Sequence, residues 1–113
     1  MTNVEIAETY LAALGTRDPT KALLASDVTL QYPLAPGTVV GAAKVMEYMG
    51  SVMPSVDEVE LERHLMDGDY VVTLWKAHTV WGIIPVCSVF LISGGMIQEI
   101  RSFFDPRPIA PLR

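Results

Sequence analysis

The sequence predicts an α+β fold: a curved antiparallel sheet wrapped around N-terminal helices, forming a cone with a central pocket. Three observations carry that prediction. Helical periodicity is confined to the residues before Pro54, period-two alternation dominates from Glu58 onward, and the strand-like segments are separated by short glycine-containing turns instead of helices. Helices that precede an antiparallel meander, without alternating with its strands, give the α+β arrangement. A long sheet of this kind twists, curls over its helices and leaves a cavity at its open end. With 113 residues, 50% of them hydrophobic, the chain is expected to form one domain over residues 1–113 around one core.

Thr2-Asn3-Val4-Glu5 is a capping box that opens the first helix. Val4, Ala7, Leu11 and Leu14 fall on one stripe, with Ile6 and Tyr10 beside it, and Gly15 is placed to end it. Asp18-Pro19 starts a short second helix, with Asp18 as cap and Pro19 in the first turn. Asp27 to Tyr32 alternates as a strand, Pro33 to Gly37 is a loop, and Thr38 to Val40 is a short strand. Gly41 to Met53 is an amphipathic helix stopped by Pro54, with Met46, Met49 and Met53 on its core side. Glu58 to Leu65 alternates again, and Asp67-Gly68-Asp69 turns into a long strand from Tyr70 to Trp81. Gly82 to Pro85 turns, Val86 to Ile92 is a strand, Ser93-Gly94-Gly95 turns, and Met96 to Phe104 closes the sheet. Pro106, Pro108 and Pro111 mark an extended tail.

Pairing Asp67 with Tyr70 sets the faces of the first hairpin. Arg63 then opposes Leu74, Leu61 opposes Lys76, and Val59 opposes His78, so these six residues share one face, taken as the core. The opposite face collects Glu58, Glu60, Glu62 and His64 with Thr73, Trp75, Ala77 and Thr79, and is expected to meet solvent. On this reading His64 is a surface residue, and Trp75 and Trp81 belong to a subunit interface. Val86 to Ile92 is apolar on both sides, with Val86, Phe90 and Ile92 on one and Cys87, Val89 and Leu91 on the other. A strand of that composition is covered on both sides. The helices cover one, and a second copy of the chain in a two-fold homodimer is expected to cover the other.

Charge narrows the partners. The net charge is −5, and the 8 Lys and Arg residues are scattered, which argues against nucleic acid or an anionic membrane as a partner. Val80 to Ile97 holds no charged residue, but Gly82, Pro85, Gly94 and Gly95 interrupt it, so it reads as buried strands and not as a membrane helix. The first residues show neither a basic n-region nor an apolar h-region. The lone Cys87 lies in an apolar run and reads as a buried small hydrophobe; a reducing, cytoplasmic compartment is expected. Two histidines on opposite faces and no Cys/His/carboxylate cluster give no metal motif, and no glycine-rich phosphate loop or dinucleotide fingerprint is present. No cofactor is expected.

The run Tyr10-Leu11-Ala12-Ala13-Leu14-Gly15-Thr16-Arg17-Asp18 resembles the first-helix motif of ketosteroid isomerases, and Asp27 to Pro33 followed by Gly41 resembles what comes next in them. Gly95 to Asp105 is similar to the closing strand of SnoaL-like proteins and limonene-epoxide hydrolases. The likeness spans nearly the whole chain and implies the cystatin-like cone of the nuclear transport factor 2-like superfamily. It implies the reaction poorly, because the same cone hosts isomerases, cyclases, epoxide hydrolases and non-catalytic modules. By this resemblance Tyr10 matches the tyrosine that donates to a steroid oxygen. The general-base aspartate of the isomerases falls at Tyr32, and their second, acidic donor falls near Ser88. With both carboxyls missing, ordinary ketosteroid isomerisation is not expected. Asp105 matches the closing-strand base of the epoxide hydrolases, whose arginine and aspartate partners have Lys76 and His78 as nearest equivalents.

Two readings follow from these residues. In the first, the chain is a cofactor-free acid/base enzyme acting on an apolar small molecule, as an epoxide hydrolase, isomerase or cyclase. Asp105 is then the base, oriented with His78 and supported by Lys76, and Tyr10 or Tyr32 binds a substrate oxygen. Gln31, Arg63, Ser88, Phe90 and Phe103 complete the candidate ligand contacts. In the second, the same pocket binds a ligand or a protein without chemistry: Asp105 caps a turn, Lys76 reaches to the rim, and His78 is an ordinary sheet histidine.

Overall fold

The capping box opens α1 (Asn3–Thr16) as its residues predict. The Glu5 amide donates to the Thr2 hydroxyl at 3.1 Å, and the Thr2 amide donates to the Glu5 carboxylate at 2.8 Å. The helix does not stop at Gly15. It runs to Thr16 and ends on Arg17 in the left-handed conformation, φ 61°, with the amides of Arg17 and Asp18 both returning to the Ala13 carbonyl. Gly15 stays helical and faces Val59: a Cβ there would lie 3.7 Å from a Val59 methyl. Asp18 caps the 3₁₀ turn Pro19–Lys21 by accepting from the Thr20 amide at 3.1 Å.

The computed structural model describes residues 1–109, so Pro111 lies outside the described residues. After the 3₁₀ turn come β1 (Leu24–Gln31), β2 (Val39–Val40), α2 (Ala42–Val52), a second 3₁₀ turn (Met53–Ser55), β3 (Val56–Asp67), β4 (Tyr70–Thr79), β5 (Gly82–Ser93) and β6 (Met96–Phe103). They form one sheet in the order β2-β1-β6-β5-β4-β3. Its pairs are antiparallel except β1 with β6, which is parallel because the helical segment intervenes. The turn expected at Gly82–Pro85 is instead strand: the chain reverses at Val80–Trp81, and Pro85 pairs with Lys76. Pro85 is tolerated there because β6 reaches only as far as Cys87, so its missing N–H lies in a two-stranded overhang.

The sheet curls over α1 and α2. Ile6, Leu11, Leu30, Met49, Phe90, Ile92, Ile97 and Ile100 are fully buried between helices and sheet. Each such side chain contributes about 1.5–3 kcal/mol of burial. On β5 the concave face carries Ile84, Val86, Ser88, Phe90 and Ile92, and the convex face carries Cys87, Val89 and Leu91, as the alternation predicts. Cys87 is half-buried on the convex side and not fully enclosed.

The faces of the β3–β4 hairpin are the main correction. Asp67 pairs with Tyr70 and Arg63 with Leu74, as the turn requires. Beyond them the ladder shifts by one residue: Leu61 opposes Trp75, Glu60 opposes Lys76, Val59 opposes Ala77, and Glu58 opposes His78. Glu62 has no partner and forms a β-bulge. One extra residue changes which side each remaining residue faces. Val59 and Leu61 therefore join Trp75 and Ala77 on the concave side; Lys76 and His78, convex by the unbroken alternation of β4, stand with Glu58 and Glu60. Thr73, expected on the solvent face, and Trp75, expected in a subunit interface, are buried inside the cone.

Candidate functional site

The concave face, α1, α2 and the segment after β6 enclose a cavity of about 160 Å³. Its wall follows from strand parity and helical spacing. β4 supplies Trp75, Ala77 and Thr79, β5 supplies Ile84 and Val86, and β6 with the residue after it supplies Ser102 and Phe104. From α1, Tyr10 and Leu14 lie one turn apart on the buried stripe. From α2, Tyr48, Ser51 and Val52 face in, and the loop between β1 and β2 adds Tyr32 and Leu34. Trp81 and Ile109 contribute to the rim.

The polar groups on this wall are all uncharged near neutral pH. Tyr10, Tyr32 and Tyr48 present three phenols, and no buried side-chain N or O among the described residues lacks a partner, so phenols without a protein partner open onto the cavity. Burial pushes the Tyr10 hydroxyl well above its ordinary range, with the Tyr48 phenol adding to the effect. Burial likewise raises Tyr48, beside Tyr32. These tyrosines stay protonated and act as hydrogen-bond donors and acceptors, not as bases. The Tyr32 and Tyr48 rings lie 4.3 Å apart and tilted by 42°, and Tyr10 packs edge-on against Phe90 at 5.5 Å. Behind the wall the Trp75 indole donates to the Ser88 hydroxyl at 3.0 Å, and Ser88 and Ser102 share a hydrogen bond of 2.9 Å.

The residues assigned to acid/base chemistry lie elsewhere. Asp105 is exposed and bonded to Arg107, whose guanidinium donates to it at 2.7–3.0 Å and whose amide donates at 3.0 Å; these bonds hold the carboxyl below its usual range. His78 lies on the convex face with its Nε2 2.8 Å from the Glu60 carboxylate, and Lys76 stands beside them. Both were expected on the core face, but β4 buries the alternate set, Val71, Thr73, Trp75 and Ala77, so they face outward. Arg63 is also convex and exposed. Gln31 is exposed and donates to Thr38 at 3.2 Å, one residue out of phase with Tyr32. Phe103 is 50% exposed with the Arg101 guanidinium 5.6 Å over its ring, so the next residue, Phe104, is the one on the cavity wall. Ser88 and Phe90 are fully buried behind that wall.

His64, expected at the surface, sits instead on the concave side of β3, beyond the cavity. Its Nδ1 is 2.8 Å from the fully buried Thr73 hydroxyl and its Nε2 is 3.0 Å from Glu8 on α1. The three groups tie the helix to the sheet. Trp75, Trp81, Tyr48 and Ser102 were not among the expected ligand contacts. Tyr48 carried a signal, because it lies three residues after Val45 and four before Val52 on the α2 stripe. Trp75 carried one as well, in the alternation Val71, Thr73, Trp75, Ala77 against Lys76 and His78.

Among the described residues no three His, Cys, Asp or Glu side chains gather as metal ligands, and no helix is long and apolar enough to cross a membrane. No protein of curated function matches the sequence. Solved structures match the fold at low identity. An NTF2-like protein of unknown function from Cytophaga hutchinsonii is 19% identical, with 97% of this chain and 96% of that one covered and a TM-score of 0.83. A steroid delta-isomerase from Pseudomonas aeruginosa is 18% identical, with 96% and 86% covered and a TM-score of 0.79. An LEH-like epoxide hydrolase from M. tuberculosis is 22% identical, with 96% and 86% covered and a TM-score of 0.76. The SnoaL-like domain model matches residues 7–100, and the chain belongs to that family.

Proposed function

We propose that this SnoaL-like chain binds an uncharged, largely apolar small molecule carrying an oxygen atom, and that it does so without acid/base chemistry. One observation carries the reading: among the described residues, the cavity wall offers aromatic and aliphatic surface with neutral hydroxyls and no Asp, Glu, His, Lys or Arg. A base that works near neutral pH must reach its proton, and the raised phenols of Tyr10 and Tyr48 cannot accept one there. Tyr10 and Tyr32 are the ligand contacts that this reading retains from the sequence.

A second reading is catalysis in the same cavity. It draws on the structural neighbours described as a steroid delta-isomerase and an epoxide hydrolase. One experiment separates the two. Wild type and Asp105→Asn are titrated with apolar cyclic epoxides while tryptophan fluorescence and diol formation are followed together, since Trp75 and Trp81 both line the cavity. A saturable fluorescence change of equal affinity in both proteins, with no diol, is the expected result. Diol produced by wild type and lost in the variant would restore Asp105 as a base and overturn the non-catalytic reading.

The exposed convex side chains Leu65, Leu74, Ile83 and Phe103 support a two-fold homodimer through that face. A monomer mass by sedimentation at micromolar concentration would remove it. Residence in a reducing cytoplasm fits the single free cysteine, and recovery of the protein outside the cytoplasmic fraction would contradict it.

A further inference from the structure

Trp75, Ser88 and Ser102 form a hydrogen-bond chain whose direction can be worked out from its ends. An indole N–H only donates, so Ser88 must accept from Trp75. The Ser88 hydroxyl is fully buried, and its remaining partner among the described residues is Ser102. If Ser102 donated to Ser88, the Ser88 proton would be buried without an acceptor, which is the costly arrangement. The Ser88 proton therefore goes to Ser102. Having accepted from Ser88, Ser102 has its own proton free, and Ser102 lines the cavity.

We infer that Ser102 is a specificity-determining residue of this cavity: the Trp75–Ser88 relay aims its hydroxyl as a donor to an acceptor oxygen, such as a carbonyl, on the ligand. This rests on the cavity being a ligand site and adds which group on the wall reads the ligand's oxygen. A shared pair of serines on β5 and β6 could point either way; the indole behind them removes that freedom. Trp75 thus acts twice, as a wall of the cavity and as the group that sets the polarity of the relay. Ser88 and Trp75 are positioning residues, and Ser102 is the contact.

The test uses acetophenone and ethylbenzene, two probes of similar shape that differ by one carbonyl oxygen. Binding is followed by amide chemical-shift changes, and the carbonyl stretch of bound acetophenone by infrared spectroscopy. Wild type is expected to prefer acetophenone, with its carbonyl stretch moved to lower frequency. Ser102→Ala is expected to lower acetophenone affinity by about tenfold, leave ethylbenzene unchanged, and return the stretch to its apolar-solvent position. Ser102→Thr, which keeps the hydroxyl, is expected to keep the preference. Trp75→Phe keeps the aromatic wall, frees Ser88 to turn, and is expected to give a smaller loss of preference with a broadened band. An unchanged preference and band in Ser102→Ala would overturn the assignment of Ser102 while leaving the cavity as a binding site. Failure of both probes to bind wild type would overturn the binding reading itself, and the inference with it.

Discussion

Trp75 and Lys76 are neighbours on β4, yet they belong to two different surfaces. Trp75 is 6% exposed, lines the cavity and bonds to Ser88. Lys76 stands on the convex side near Glu60 and His78, where the side chains reach solvent at least in part. The concave wall is built from aromatic rings and hydroxyls, and the convex face of the same hairpin carries Glu58, Glu60, Arg63, Lys76 and His78. The difference teaches that in this fold the ionisable side chains of the sheet need not serve the pocket. A cluster of charged residues on one face of a hairpin is a functional signal only if that face is the inner one.

The sharpest way to break this contrast is to truncate each neighbour. Trp75→Ala removes a buried wall and the donor to a buried hydroxyl, and is expected to cost about 3–5 kcal/mol of stability. Lys76→Ala is expected to stay within about 0.5 kcal/mol. Equal effects in urea unfolding would mean that the two faces are not distinct as described.

An intermediate effect is expected at alkaline pH. The phenols of Tyr10 and Tyr48 are raised in the fold above their ordinary value of 10.0. Above that pH the unfolded chain releases protons that the folded chain retains, so the unfolded state binds fewer protons and stability falls as pH rises. Their contribution is fully present below the unfolded value and is lost above it. Wild type is expected to lose stability from about pH 10 upward, and Tyr10→Phe with Tyr48→Phe to flatten that limb in thermal unfolding. An identical limb in the double variant would place these hydroxyls in contact with solvent.

The smallest effect sharpens the origin of the contrast. Glu62 has no cross-strand partner, so deleting it leaves every observed β3–β4 pair in place. A regular ladder then replaces the bulge, and the loss is expected to be about 1 kcal/mol or less. Tryptophan emission should keep its buried maximum. A red-shifted emission would mean that the bulge itself holds Trp75 inward.

Local chemistry made much of the fold legible in the sequence. The Thr2–Glu5 capping box, the Asp18 cap and the Asp67–Tyr70 hairpin depend on residues within a few positions of one another, and each forms as its neighbours dictate. The two faces of β5 could be read because its alternation runs unbroken through Ile92. The faces of β3 could not, because nothing local distinguishes Glu62, among Glu58 and Glu60, as the residue that bulges. Regular pairing from Asp67–Tyr70 puts Trp75 on the same face as Glu58 and Glu60, whereas β4's own alternation buries Val71, Thr73, Trp75 and Ala77.

The sequence by itself determined the order of elements and the α+β class, since these follow from periodicity, caps and turns, and its motifs resembled those of the family. Only the tertiary structure decided which side chains meet in the cavity. A one-residue bulge in β3 turned Val59 and Leu61 to the concave side, packing of Val71, Thr73, Trp75 and Ala77 under the helices left Lys76 and His78 on the convex side, and Asp105 bonds to Arg107 beyond the end of β6. Packing of the sheet on the helices brought Tyr10, Tyr48, Trp75 and Ser102 from four separate elements onto one wall. The physical reason is that strand register is a cooperative, long-range property: one unpaired residue costs little locally, yet it sets the face of every residue beyond it.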